Sequence, residues 1–311
     1  MTTLETVAPT ALPQDDPSIR IGEITLAISC ARNVRLINPD PTYHAFLSGA
    51  ITRNNKSQIH ARLILGKMPD LSGLQKIFDT RESWTLYEDA GEYWISLHPA
   101  MYPDPFWIAR FDRRASRVVV YCSASSQSAE EKKHELVNPL CYPLDQLLFM
   151  YHLAYRDGMM VHAAGVDLSG RGLIFPGCSG AGKSTLARLF ARCRIGEALS
   201  DERVIVRRTD AGLQVFGTPW AGTEGIARNG RAPLAGMFFL KQDKSNRLQE
   251  LSAEQALERL LQVVSIPWYD QEAMSRIILF SKSIVSQIPA YELNFKADAS
   301  AVDFLVQSLS V

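Results

Sequence analysis

The sequence predicts a mixed α/β protein, with a β-rich amino-terminal part followed by an α/β core. Three observations carry this. Between Ile19 and about Ser123, short runs of alternating apolar and polar residues are broken by turn residues, the pattern of half-buried strands. Glycine-rich Gly177–Ser184 lies between an apolar run, Gly172-Leu-Ile-Phe-Pro176, and a helix-like run, Thr185-Leu-Ala-Arg-Leu-Phe-Ala-Arg192. Beyond residue 140, strand-like and helix-like patterns mix, as expected of helices packed on a sheet.

Met1 to Ser18 is rich in Thr, Pro and Asp without an apolar core, so it reads as a floppy tail rather than a signal peptide. Ile19 to Ile28 alternates as a strand. Trp84 to Leu97 reads as two strands joined at Asp89-Ala-Gly91. Trp107 to Tyr121 repeats that logic, with a turn near Asp112 to Ser116. Ser123 to His134 is rich in Ser, Glu and Lys and reads as a linker. The resulting division is a tail over 1–18, a β-rich domain over 19–136 and a second domain over 137–311.

Pro143 opens a helix whose apolar face carries Leu144, Leu147, Leu148 and Tyr151, and Asp157-Gly158 ends it. Met159 to Val166 is a strand, Ser169-Gly170-Arg171 a turn, and the strand before the glycine loop follows. Further strands are expected at Val204–Val206, Leu213–Phe216, Met237–Leu240 and Tyr291–Phe295. Helices are expected from Ser252, which forms a capping box with Gln255, around Gln271 to Ser286, and over Ala299 to Leu309.

The 311 residues are 46% hydrophobic, enough for a well-formed core. Lys+Arg and Asp+Glu balance at 33 each, so bulk charge favours neither nucleic acid nor an anionic membrane. No apolar run approaches the roughly 18 residues of a membrane span. The five cysteines are scattered with no Cys-x-x-Cys pair, arguing against a zinc site or a disulfide framework. A soluble, cytoplasmic protein with reduced thiols is expected. Cys178, inside the glycine loop, reads as a small loop residue.

The loop itself reads G-x-x-x-x-G-K-S between a strand and a helix, the context of a phosphate-binding loop. Gly177, Ser179, Gly180, Ala181, Gly182, Lys183, Ser184 and Thr185 are the candidate nucleotide-binding residues. Backbone N–H groups at the positive end of a helix dipole would wrap a phosphate. Lys183 would reach the β- and γ-phosphates of ATP, and the Ser184 hydroxyl would hold Mg²⁺.

Phosphoryl transfer also needs a group that orients or deprotonates the nucleophile. Asp201 and Glu202 precede the strand at Val204 and return toward the loop's own sheet. One acid would take a proton. The other, with Ser184, would hold Mg²⁺ directly or through water, so Ser184, Glu202 and Asp201 are the metal candidates. His162, among small residues in the adjacent strand, reads equally as a core histidine or a site residue. Gly217 to Gly225 is a second glycine-bearing loop that would cover the nucleotide or shape an acceptor pocket. Arg228 and Arg231 beyond it would neutralise transition-state charge, or are solvated turn residues.

Val161-His162-Ala-Ala-Gly-Val-Asp167, the loop Gly177–Ser184 and Leu199-Ser-Asp201-Glu202 together resemble the HPr kinase/phosphorylase family in order and spacing, over roughly Pro143 to Leu240. The resemblance implies a core similar to that of phosphoenolpyruvate carboxykinase, a divergent HPr-kinase-like protein, and activity toward a serine hydroxyl of a peptide or small molecule. It also implies that Lys183 and Ser184 bind nucleotide and Mg²⁺, that Asp201 is the catalytic base, and that His162 is the active-site histidine. The family's second acid is usually Asp and is Glu202 here. Gly217-Thr-Pro-Trp220 stands where the family carries its phosphorolysis segment.

The expectation is therefore an ATP- and Mg²⁺-dependent kinase acting on a hydroxyl, with Asp201, His162 and Lys183 as catalytic residues. A nucleotide-binding regulator or assembly partner without efficient transfer is the alternative. A carboxykinase-like enzyme would want a His, Lys and Asp metal cluster that the sequence does not offer. Partners would be a nucleotide and a hydroxyl-bearing acceptor, with neither nucleic acid nor membrane. The amino-terminal strands would serve acceptor recognition or self-association.

Overall fold

The computed structural model describes residues 10–11, 17–31, 34–38, 40–48, 58–81, 83–97, 105–123 and 134–309. Most of the expected tail over 1–18 and of the expected linker over 123–134 lies outside them. The chain divides into two compact units, Met1–His152 and Leu153–Val311. Both are strand-rich, and helices are concentrated in the second, so the architecture is mixed α/β with extensive sheets.

The first unit holds β1 (Thr10–Ala11), β2 (Ser18–Ile21), β3 (Ile24–Ser29), β4 (Val34–Asn38), β5 (Leu47–Ser48), β6 (Gln58–Gly66) and β7 (Gln75–Asp79). It continues with β8 (Trp84–Asp89), β9 (Glu92–Leu97), β10 (Trp107–Asp112), β11 (Arg117–Ser123), β12 (His134–Val137) and most of α1 (Leu144–Ala154). Among the described residues, nine strands form one sheet in the order β5-β2-β3-β6-β11-β10-β9-β8-β7, and β1-β4-β12 form another.

The expected single strand over Ile19–Ile28 is a hairpin. Gly22 and Glu23 both take positive φ, 58° and 62°, and Ile21 pairs with Ile24. Two residues with positive φ give the turn whose twist matches that of the flanking strands. Ala90-Gly91 does the same between β8 and β9, where the sequence signalled it. The units divide later than the linker-based boundary at 136/137, because β12 pairs with β4 and Tyr151 of α1 packs on Tyr93 and Phe111. Tyr93 and Trp107 are buried, so these two aromatics serve the core rather than a recognition surface.

The second unit holds β13 (Gly158–Leu168), β14 (Arg171–Pro176), α2 (Lys183–Cys193), β15 (Glu197–Ser200), β16 (Arg203–Thr209) and β17 (Gly212–Phe216). Then follow β18 (Arg231–Gln242), β19 (Arg247–Glu250), α3 (Ala253–Leu261), α4 (Gln271–Val285), β20 (Ala290–Phe295) and α5 (Ser300–Leu309). The capping box of Ser252 and Gln255 starts α3, as its sequence dictates. Long β13 changes partner midway. Gly158–His162 pair with β16, and Ala163–Leu168 with β14. The pairings β13–β16–β17–β18–β14–β13 thus run in a closed circuit, with β20 and β19 extending from β18.

A helix–sheet core lies under this circuit. Phe175 of β14, Phe190 of α2, Phe238 of β18, Phe295 of β20 and Leu305 of α5 are buried together. Leu186, Ala187 and Phe190 give α2 its buried stripe. Burying one such phenylalanine contributes about 1.5–3 kcal/mol, so α2 and the loop before it are seated firmly on the sheet. Among the described residues, no helix is long and apolar enough to cross a membrane.

Candidate functional site

β14 ends at Pro176 and α2 begins at Lys183, with Gly177–Gly182 between them. The loop is built by its glycines. Gly180 and Gly182 take φ of +83° and +102°, which L side chains rarely adopt. A Cβ on Gly182 would lie 2.6 Å from the Phe295 ring, and one on Gly177 would lie 2.7 Å from the Ala181 Cβ. Gly177 N–H donates to the His162 carbonyl at 3.3 Å, joining the loop to β13. From the end of β18, Gln242 Nε2 donates to the Gly180 carbonyl at 3.2 Å.

Lys183 is 5% exposed, and its ammonium donates to the carbonyls of Gly177 (3.0 Å) and Cys178 (3.2 Å). Burial holds its pKa below the usual lysine value. The Arg203 charge acts in the same direction, and the carboxylates of Glu202 and Asp201 oppose it. A cavity of about 680 Å³ opens beside the loop, large enough for a small molecule. Ser179, Gly180, Gly182, Lys183, Ser184 and Thr185 line one side; Glu202, Ala221, Gly222, Thr223 and Gln242 complete it.

The two acids part at the corner between β15 and β16. The Ser200 hydroxyl accepts the N–H of Glu202 (3.4 Å) and of Arg203 (3.3 Å), which turns the chain. Glu202 faces the cavity, and its Oε1 lies 2.8 Å from His162 Nε2. Burial lowers the His162 pKa, helped by the charges of Lys183 and Arg203 and opposed by Glu202. The imidazole is therefore neutral near pH 7 and donates Nε2–H to the carboxylate.

Asp201 goes the other way. It is fully buried, and its carboxylate accepts the backbone N–H groups of Gly222 (2.9 Å), Glu224 (2.9 Å) and Ile226 (3.3 Å). Asp201 was expected as a base and a metal ligand; here three N–H groups of the second glycine loop occupy three of its roughly four acceptor sites, and it does not line the cavity. Gly222 is required there, since a Cβ would lie 2.8 Å from Asp201 Oδ2. Gly217 is required too, with a Cβ 2.0 Å from the Arg228 carbonyl.

The cavity thus brings together most of the expected loop residues and Glu202, with His162 reached through Glu202. Gly177 and Ala181 shape the loop without lining the cavity. Arg228 is drawn off to Glu197 at 2.8 Å, and Arg231 lies exposed at the start of β18. Gln242 on the cavity wall and Arg203 opposite His162 were not expected. Arg203 directly follows the acidic pair, which was a usable signal; nothing in the sequence marked Gln242.

Among the described residues, no group of three or more His, Cys, Asp or Glu side chains is arranged to hold a metal. Mg²⁺ needs less than that, because it keeps waters and rests on one or two protein oxygens plus ligand phosphates. Ser184 and Glu202, on the same cavity, fit such an ion, whereas Asp201 is not among the residues that line it.

Fold and site define a mixed α/β protein whose strand–glycine loop–helix unit opens on a polar cavity. The SynChlorMet cassette protein ScmC family matches residues 120–301, more than half the chain and including this whole cavity, and the chain belongs to that family. None of the curated proteins matches it.

Proposed function

We propose that this chain is an ATP- and Mg²⁺-dependent kinase that transfers the γ-phosphoryl group to a hydroxyl, with a serine side chain as the first candidate. The observation that carries the reading is that Lys183, Ser184 and Glu202 face one cavity at the start of α2. A cation, a metal-binding hydroxyl and a carboxylate there are the parts that phosphoryl transfer needs. The resemblance to the HPr kinase/phosphorylase family supports the same reading, and with it a P-loop core formed by β13, β14, α2 and β16. The described cysteines are all free thiols, which suits a cytoplasmic protein.

In this reading the loop amides and the α2 dipole hold the phosphates. Lys183 exchanges its two loop carbonyls for phosphate oxygens and neutralises charge that grows in the transition state. Mg²⁺ would be held by Ser184, with Glu202 within reach through water, and it supplies further charge neutralisation. The Glu202 carboxylate takes the acceptor's proton. The neutral imidazole of His162 keeps that carboxylate oriented by donating to Oε1, which leaves Oε2 for the proton. Titrating ATP with Mg²⁺ and following γ-labelled phosphate into hydroxyl acceptors tests the proposal. A folded wild type that bound ATP no better than Lys183→Ala would overturn it.

A further inference from the structure

Arg203 opens β16 and stands opposite His162 in the antiparallel register. On the other flank of β13, residues 263–265 run beside residues 160–162. His162 N–H donates to the Val263 carbonyl at 2.8 Å, Ser265 N–H donates to the Met160 carbonyl at 2.9 Å, and Val161 pairs with Val264. Directly opposed residues of antiparallel strands put their side chains on one face, and so do residues two apart in a strand. Arg203, His162, Met160 and Ser265 therefore share a face. The Arg203 guanidinium crosses β13 on that face and donates to Ser265 Oγ at 3.4 Å.

The register also gives direction. The glycine loop joins β13 at His162, through Gly177, and Ala163 pairs with Pro176. Ser265 sits at Met160, on the other side of His162 from the loop. Arg203 therefore reaches away from the glycine loop, to the far side of His162. Among the described residues, no carboxylate lies within ion-pair distance of Arg203, whereas Arg188 has Glu224 at 3.0 Å and Arg228 has Glu197 at 2.8 Å. The Arg203 charge helps depress the pKa of both His162 and Lys183. A half-buried guanidinium with only a hydroxyl partner has donor capacity left for a planar anion.

We infer that Arg203, steadied by Ser265, is the acceptor's anion-binding residue, so that the substrate carries a carboxylate close to the hydroxyl that is phosphorylated. This rests on the kinase reading for the hydroxyl, but not for the carboxylate. The carboxylate has two sources: an acidic side chain beside a serine in a peptide, or the carboxyl group of a free hydroxy amino acid.

The test uses the full chain with ATP and Mg²⁺ and two matched acceptor pairs. One pair is L-serine and L-serinamide; the other is a blocked seryl peptide with Asp or with Asn beside the serine. Binding is read by calorimetry with a non-hydrolysable ATP analogue, and transfer by labelled phosphate. In at least one pair, wild type should favour the carboxylate member by about tenfold or more, the scale of a charge-assisted hydrogen bond. Arg203→Ala should remove that preference, and Arg203→Lys should keep part of it. The pair that shows the preference names the source. Carboxylate-selective binding that depends on Arg203, without any transfer, would sink the kinase reading and leave this one standing. No carboxylate preference in either pair would overturn this one, with or without transfer. So would an Arg203→Ala protein slowed equally on both members, since Arg203 would then act on the phosphoryl group.

Discussion

Glu202 Oε1 lies 2.8 Å from His162 Nε2, and this contact, made by the second acid of the Asp201–Glu202 pair, is the one that faces the glycine-loop cavity. The two neighbours have opposite fates for a local reason. The corner held by the Ser200 hydroxyl sends Asp201 under the Gly217–Gly225 loop and Glu202 outward. A carboxylate accepting three amide hydrogen bonds has little capacity left for a proton. A carboxylate with one imidazole partner keeps an oxygen for chemistry.

If Glu202 is the base proposed above, Glu202→Gln should lower kcat at saturating Mg²⁺ by about 10²–10⁴-fold, the usual worth of a general base, and should raise the Mg²⁺ concentration needed. His162→Ala should cost less, because in the proposed mechanism His162 acts through its contact with Glu202. Steady-state transfer rates alongside a Mg²⁺ titration separate these outcomes. Full activity in a folded Glu202→Gln protein would remove Glu202 from the mechanism.

The depressed pKa of His162 fixes a sign for pH dependence. Its ordinary value is 6.5, and burial puts the folded-state value below that. As pH falls below about 6.5, the unfolded chain takes up this proton before the folded one does, so His162 makes the protein less stable toward acid. Denaturant melts at pH 7.5 and 5.5 should show a stability loss in wild type that His162→Gln reduces. Transfer should fall further toward acid, where the folded-state imidazole itself takes the proton, since an imidazolium beside Glu202 weakens it as a base. Equal acid sensitivity in both proteins would show that other groups dominate.

Much of the second unit was readable because its signals are local. The capping box at Ser252, the turn at Ser169-Gly170 and the strand–loop–helix run around Gly177–Ser184 each depend on neighbours in the chain. What escaped reading is non-local. The direction of the Asp201 side chain is set by amides more than twenty residues on, at Gly222, Glu224 and Ile226. Arg203 meets its hydroxyl partner Ser265 through the pairing of residues 263–265 with β13, which no periodicity reveals. The hairpin inside Ile19–Ile28 was hidden because Glu23 takes a positive φ that glycine usually marks.

Two glycines of the loop separate strain from crowding. Gly180 has φ +83° with open space around a would-be Cβ. Gly180→Ala should therefore cost about 1–2 kcal/mol of backbone strain and little more. Gly182 has φ +102° and a would-be Cβ 2.6 Å from Phe295 Cζ, so alanine there must also displace a core ring. Gly182→Ala should lower the melting temperature more than Gly180→Ala does and should abolish ATP binding, because Gly182 caps α2 immediately before Lys183. Paired thermal melts and nucleotide titrations check the order; the reverse order would mean that the loop's shape is not set from Phe295.

The second glycine loop has two tethers of unequal strength. Asp201 accepts three amides from inside the fold, whereas Glu224 pairs with Arg188 of α2 where their side chains are 24% and 40% exposed. Water and salt screen the second tether, so Glu224→Gln should cost well under about 1 kcal/mol. Asp201→Ala strips the partners from three donors at once and should cost on the order of 1–3 kcal/mol. Amide hydrogen exchange at residues 222, 224 and 226 reads the loop directly. Asp201→Ala should speed exchange at all three and lower transfer by moving Ala221–Thr223 off the cavity wall, while Glu224→Gln should leave all three protected. Unchanged protection in a folded Asp201→Ala protein, with transfer lost as fully as in Glu202→Gln, would return Asp201 to a chemical role and overturn its assignment as the loop's anchor.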